Sequence, residues 1–227
     1  MASITLEPLI DPSMIAALTG ESPADTLARA AAQHANAGDI PAATNLLAQA
    51  CDNAASVPVL FLAFQFHFRT GNIALARDLA QRRITLAASQ GDNKQHARAW
   101  SNLGLASLHL HDTAGALAAA EQAIALSQLS DDPLSLSRDQ ALLAQAHEAT
   151  NNWTAARDTY LQALQLAERT NDPAHIATKL ANLGDVYKQL GDATTAATYW
   201  RRALPLLAQA GKHRWHAECE AKLRGVS

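Results

Sequence analysis

The constraint that narrows this chain most is internal repetition. Leu183-Gly184, within Ala-Asn-Leu-Gly-Asp-Val-Tyr, stands 80 residues after Leu103-Gly104, within Ser-Asn-Leu-Gly-Leu-Ala-Ser, and Leu143-Ala144 lies midway, so the period is 40. One more step back reaches Ala63-Phe64; a shorter step of 33 then reaches Ala30-Ala31 and aligns Gly38-Asp39 with Gly71-Asn72 and Gly191-Asp192. Five units result, at about residues 24–56, 57–96, 97–136, 137–176 and 177–210. A period of this length marks an array in which each unit is one supersecondary element that buries its apolar face against the next.

Within the last unit Leu180, Leu183, Gly184 and Tyr187 follow the i, i+3, i+4, i+7 spacing of an amphipathic helix, and Ala196, Trp200 and Ala203 repeat the pattern on a second. Each unit therefore reads as a helical hairpin. Gly38, Gly71, Asn151 and Gly191 stand where the first helix must end, a place that suits a positive φ. His111 takes that place in the third unit and predicts a looser turn. Asp132-Pro133 and Asp172-Pro173 read as an N-cap followed by proline in the first helical turn, with Asp92-Asn93 in the matching place. After the repeats, residues 211–227 carry a last helix on which Trp215, Cys219 and Leu223 are spaced i, i+4, i+8, as a cap facing the fifth hairpin requires. Residues 1–21 stand apart from the array: Asp11-Pro12 opens a short helix through Leu18, Ser22-Pro23 opens the first repeat, and residues 1–10 read as a flexible tail or a strap.

Composition agrees with packed helices and excludes several functions. The 227 residues are 48% hydrophobic, and most of that share is alanine, the best helix former, whose small side chain lets helices approach closely. The densest apolar run, Val57 to Phe68, is broken by Gln65 and His67 and falls short of the roughly 20 residues a bilayer span needs. The first residues lack the basic region and apolar stretch of a secretion signal, and Cys51 and Cys219 are lone thiols far apart, so the cytoplasm is the expected compartment. A net charge of -3 with scattered Lys and Arg argues against nucleic acid.

The pattern resembles the tetratricopeptide repeat family over about residues 24–210. That family places small residues where helices cross, and here the places hold Ala31, Ala43, Ala50; Phe64, Ala76, Arg83; Gly104, Ala116, Ala123; Ala144, Ala156, Ala163; and Gly184, Ala196, Ala203. Both exceptions, Phe64 and Arg83, fall in the second unit. The 40-residue period, against the family's usual length of about 34, is similar to the extended repeats of kinesin light chains and of bacterial regulators that sense peptides. The resemblance implies a right-handed α-solenoid superhelix of five hairpins, with the first helix of each lining a concave groove that binds a peptide or protein segment. It implies no cofactor and no enzymatic activity.

Groove-lining candidates follow in order: Asp25, Arg29 and Asn36; Phe61, Gln65, Phe68 and Arg69; Arg98, Asn102, Leu105 and His109; Arg138, Gln145 and Glu148; Thr178, Asn182, Asp185, Lys188 and Gln189. Asn102 and Asn182 each precede a Leu-Gly pair, where the resemblance implies a clamp on the ligand's main chain; an amide offers a donor and an acceptor together. Leu142 replaces it in the fourth unit, and Ala28, Ala32 and Leu62 replace the polar residues of the family's clamp for chaperone C-termini. Phe61, Phe64, Phe66 and Phe68 spread around one helix, so a ring is left for a partner, the N-terminal segment or a second copy to cover. Self-assembly through these rings is the alternative to peptide binding.

Motifs of other chemistry are weak. His213, His216 and Cys219 are spaced i, i+3, i+6 beside Glu220, but a terminal helix with one apolar side explains them without a metal. His34, His67 and His147 recur where Tyr187 stands and read as polar aromatics in packing roles. His109 and His111, two apart, do not share a helix face. Arg82-Arg83 and Arg201-Arg202 read as solvated pairs. Glycines occur singly, with neither a phosphate loop nor a nucleophile elbow.

Overall fold

The computed structural model describes residues 8–52 and 55–225, and every regular element among them is helical. In order these are α1 (Pro12–Ala16), α2 (Pro23–Asn36), α3 (Ile40–Asp52), α4 (Val57–Arg69), α5 (Ile73–Ser89), α6 (Asn93–His109), α7 (Thr113–Ser127), α8 (Pro133–Ala149), α9 (Trp153–Glu168), α10 (Pro173–Gln189), α11 (Ala193–Gln209) and α12 (His213–Arg224). A 3₁₀ turn, Gln128–Ser130, extends α7. Two compact units divide the chain, the first ending at Leu110 and the second beginning at His111. Within each, helices pack on their neighbours in chain order, α2 on α3, α4 on α5 and α5 on α6 in the first; α7 on α8, α8 on α9, α9 on α10, α10 on α11 and α11 on α12 in the second. The architecture is all-α, of the α-solenoid kind.

Turn chemistry sets the metre. Left-handed residues stand at Gly71, Gly91, His111, Asp131, Asn151, Asn171, Gly191 and Gly211, every 20 residues. Most such residues sit between the last residue to cap one helix and the first to cap the next. Around Gly71, Asn151 and Gly191 the following N–H reaches back to His67, His147 and Tyr187 carbonyls at 2.8–2.9 Å, the six-to-one bond of a Schellman ending. The next residue then accepts from the new helix: Asp92 from the Gln95 N–H at 3.0 Å, Asp112 from Gly115 at 2.9 Å, Asp192 from Thr195 at 2.9 Å. His111, expected to loosen its turn, instead adopts φ 59°, matching the 58° of Asn151. The turn geometry overrides the histidine's preference because both neighbouring positions are already committed to helix ends.

The N-terminal starts are also as the sequence predicts: Asp11 accepts from the Ser13 N–H at 2.7 Å and Ser22 from Asp25 at 3.0 Å. Residues 1–7 of the expected tail or strap lie outside the described residues. Residues 8–10 form a strap, with Ile10 fully buried in the first unit's core.

Helix crossings trade volume between partners. Ala144 in α8 is matched by Tyr160 in α9, and Gly184 in α10 by Trp200 in α11; in the first unit the bulk changes sides, Phe64 in α4 against Ala80 in α5. All six are essentially inaccessible. Phe64, an exception to the small-residue pattern, is thus the large half of a pair whose small half lies on the other helix. The closest approach is at Gly184, where an added Cβ would come 2.4 Å from the Trp200 indole nitrogen. Trp200 cannot retreat, because that nitrogen donates to Asp185 Oδ1 at 3.1 Å. Gly184→Ala is therefore expected to destabilise the protein by about 1–3 kcal/mol through overpacking. Denaturant titration followed by circular dichroism checks this, with Gly184→Ala/Trp200→Phe regaining part of the loss.

Candidate functional site

In the second unit a polar seam lies where α8, α9 and α10 meet. The stripe His175, Lys179, Asn182 and Val186 of α10 runs along it. At one end His175 Nε2 and the Ser137 hydroxyl are 2.9 Å apart, and that hydroxyl donates to the Ala163 carbonyl at 2.6 Å. Farther along, the hydroxyl of buried Tyr160 is shared among Glu148, Gln145 and Asn182. Burial, and then the Glu148 charge, push the Tyr160 phenol well above its ordinary value, while burial raises the Glu148 carboxyl.

Between these two networks lies Lys179, only 5% exposed. No acid stands against it among the described residues; the charge beside it is Arg138. Burial first, then Arg138, lower its ammonium to about 8. The same causes, burial first and then Lys179 and Arg138, hold His175 down at about 4. A desolvated cation facing a second cation is an electrostatic cost with no structural return. Lys179 was not among the groove candidates, although its place on the His175–Asn182 stripe is the signal that finds it.

The first unit repeats the motif with different residues. Arg83, expected as part of a solvated pair, is 1% exposed. Its guanidinium lies 4.6 Å from the Phe61 ring centre and donates to Gln95 Oε1 at 2.6 Å, while Nε and Nη1 have no partner. Burial, then Arg98, lower it to about 10. The correction has a physical reason: Phe61 and the α4–α6 packing offer a flat surface that a planar cation covers. Arg98 and Arg138 are one 40-residue period apart, and each stands beside a buried cation. Near them, Asn102 Nδ2 is buried with no partner.

Other candidates are dispersed. Phe64 and Phe66 are buried; Phe68, stacked on Phe64, meets His109 edge-on at 4.7 Å, and Gln65 is half-buried beside them. Asp185 binds Lys222 Nζ at 2.7 Å as well as Trp200, which ties α12 to the stack, while Lys188 is exposed. His67 is buried, whereas His34 is exposed and bonds Asp39 at 3.1 Å, so one packing role does not cover both. Trp215, expected to face the fifth hairpin, is 40% exposed because Cys219 and Leu223 already fill that side of α12. Cys219 lies within the apolar core and burial raises its thiol. Among the described residues no three His, Cys, Asp or Glu side chains gather as metal ligands, and no helix is long and apolar enough to cross a membrane.

Hairpins packed in chain order with polar seams between their first helices define a helical-repeat binding scaffold. Residues 137–209 match the family profile described as Tetratricopeptide repeat, and that segment belongs to the family. Solved structures agree on the fold. BtubC (BKLC) from P. vanneervenii superposes with a TM-score of 0.70 at 20% identity, covering 82% of this chain and 80% of that one. A Podosopora anserina protein described as a kinesin light chain with nearly identical TPR-like repeats gives 0.66 at 16%, covering 82% and 95%. A Rap protein complexed with competence and sporulation factor gives 0.66 at 14%, covering 91% of this chain and 66% of that one. Among curated protein sequences nothing matches this chain.

The seam makes stability depend on pH. His175 titrates near 4 when folded and near 6.5 when unfolded, so between those values the unfolded chain holds more protons and stability falls as pH is lowered. One such group gives a slope of up to about 1.4 kcal/mol per pH unit in that window. Buried His67, also lowered, titrates in the same sense. Urea unfolding at a series of pH values is expected to show a shallower slope for His175→Gln than for the wild type, and identical slopes would remove the assignment.

Proposed function

We propose that this chain is a protein-interaction module, an adaptor that holds an acidic peptide segment of another protein on the first helices of its hairpins. The observation that carries the reading is Lys179, desolvated beside Arg138 with no acid of its own. A carboxylate placed between the two would relieve their repulsion and satisfy their N–H groups, and charge-assisted bonds of this kind are the strong ones. Arg83 with Arg98 offers a second place of the same chemistry, and the unpartnered Asn102 amide a donor for a ligand carbonyl. Asn182 turns its amide to Tyr160, so its clamp role rests on exchange of that bond for one to the ligand. Gln145, on the same hydroxyl, shares that constraint.

Family and fold support the binding class: tetratricopeptide repeats hold proteins or peptides, and the similar Rap protein was solved with competence and sporulation factor bound. Binding rather than catalysis is the reading, since buried Cys51 and Cys219 have raised thiols and are poor nucleophiles. Free thiols fit work in a reducing compartment such as the cytoplasm. Self-assembly through Phe61 and Phe68 is the weaker reading, because Arg83 and His109 already cover those rings.

The test separates function from fold. Affinity purification from the native cell with wild-type and Arg138→Ala/Lys179→Met baits identifies proteins that the variant loses. Their binding segments, measured by calorimetry, are expected to bind the variant at least tenfold more weakly, about 1.4 kcal/mol. The variant's own unfolding midpoint stays level or rises, because a buried unpaired charge is gone. Unchanged affinity together with lowered stability would make Lys179 a structural residue and sink the proposal.

A further inference from the structure

Residues 8–18 lie on the first unit as a bound peptide lies on a receptor. Asn36 accepts from the Ile10 N–H at 2.7 Å and donates to the Ile10 carbonyl at 3.0 Å, a two-point grip on one residue's main chain. Arg69 Nη1 donates to the carbonyls of Pro8 at 3.0 Å and Leu9 at 2.9 Å, and Arg29 Nη2 donates to the Leu18 carbonyl. Asn36 and Arg69 are the last residues of α2 and α4 and occupy the same place in successive repeats, 33 residues apart. The strap therefore crosses two first helices and is held through its backbone at each.

Side chains enter at two points only. Ile10 is 0% and Leu18 1% exposed, whereas α1 between them buries no residue and spans five. A helix that short does not stand alone. Gly20, at φ 78°, turns the chain back toward α2. Beside it an open cleft of about 490 Å³, lined by Thr19, Gly20, Thr26, Arg29, Ala30 and Gln33, continues the seat past the strap's end. Main-chain grips supply affinity without reading sequence, and pockets for single side chains supply selectivity.

We propose that residues 8–18 are a built-in pseudo-ligand, and that an extended peptide of another protein, with a branched aliphatic residue at the Ile10 position, takes the same seat when the strap leaves. Occupation by the strap lowers the apparent affinity for that peptide by the fraction of time the seat is open. This site belongs to the first unit and uses none of the residues of the Lys179 seam, so the two readings fail independently.

The experiment uses the full chain and a fluorescein-labelled peptide of residues 8–19, read by anisotropy. The wild type is expected to leave the probe free; Ile10→Asp, which expels the strap, binds it saturably, and adding Asn36→Ala weakens that binding at least tenfold. Arg138→Ala/Lys179→Met in the Ile10→Asp background leaves it unchanged. A probe that stays free with Ile10→Asp, or binds regardless of Asn36, overturns the proposal. So does a wild type that light scattering shows to be a dimer whose strap exchanges between copies, since the occupant is then a second copy. Hydrogen exchange of the wild type covers the case in which Ile10→Asp unfolds: the Ile10 amide is expected to exchange at least a hundredfold faster than that of Phe64. Equal rates mean that the strap leaves only on unfolding, and the proposal fails.

Discussion

Three residues between helices keep the structure in step. From α4 onward most links are a capping residue, a left-handed residue and an N-cap, with none to spare. One added residue would rotate everything after it by about 100° and turn each apolar stripe away from its partner. The constraint explains why side chains as different as Gly191, Asn151 and His111 share one conformation. It also explains the 33-residue step: α2, α3 and α4 have 14, 13 and 13 residues, where α5, α6 and α8 have 17. The links are kept while the helices shorten.

Once the metre is fixed, residues 16 apart meet across a hairpin, and the packing requirement falls on their sum rather than on either alone. Gly184 permits Trp200 and Ala80 permits Phe64. A pattern of small residues on one helix is therefore only half of the rule. The same exchange of bulk between helices places Phe61 where Arg83 can lie flat on it, so an apparent break in the repeat becomes a polar feature.

The helices, their caps and their order were legible because each rests on local chemistry: apolar spacing, Asp-Pro starts and a turn residue that repeats. The long-range polar partners were less so. Asn102, Arg98 and Arg138 could be placed on the right face, yet nothing local says that Asn182 turns to Tyr160 or Asp185 to Lys222, contacts made across 22 and 37 residues. Arg83 was read as solvated because a charged side chain usually is, and only the neighbouring Phe61 and Gln95 make its burial intelligible. Trp215 shows the converse, an apolar spacing wider than the surface available to cover it.

What the two units share is cation burial without an acid. A fold of alanine-rich hairpins gains nothing from Lys179 or Arg83 that an aliphatic side chain would not supply at lower cost. Yet each stands beside an arginine that recurs at the repeat period, and each lies between first helices. Electrostatic cost at a defined place in the repeat is the mark of a site kept ready, because donors already desolvated lose little more on meeting a carboxylate. The strap follows a different logic on the same scaffold. Asn36 and Arg69 hold a backbone and ignore charge, so the array carries one surface suited to an acidic segment and another suited to an extended aliphatic one.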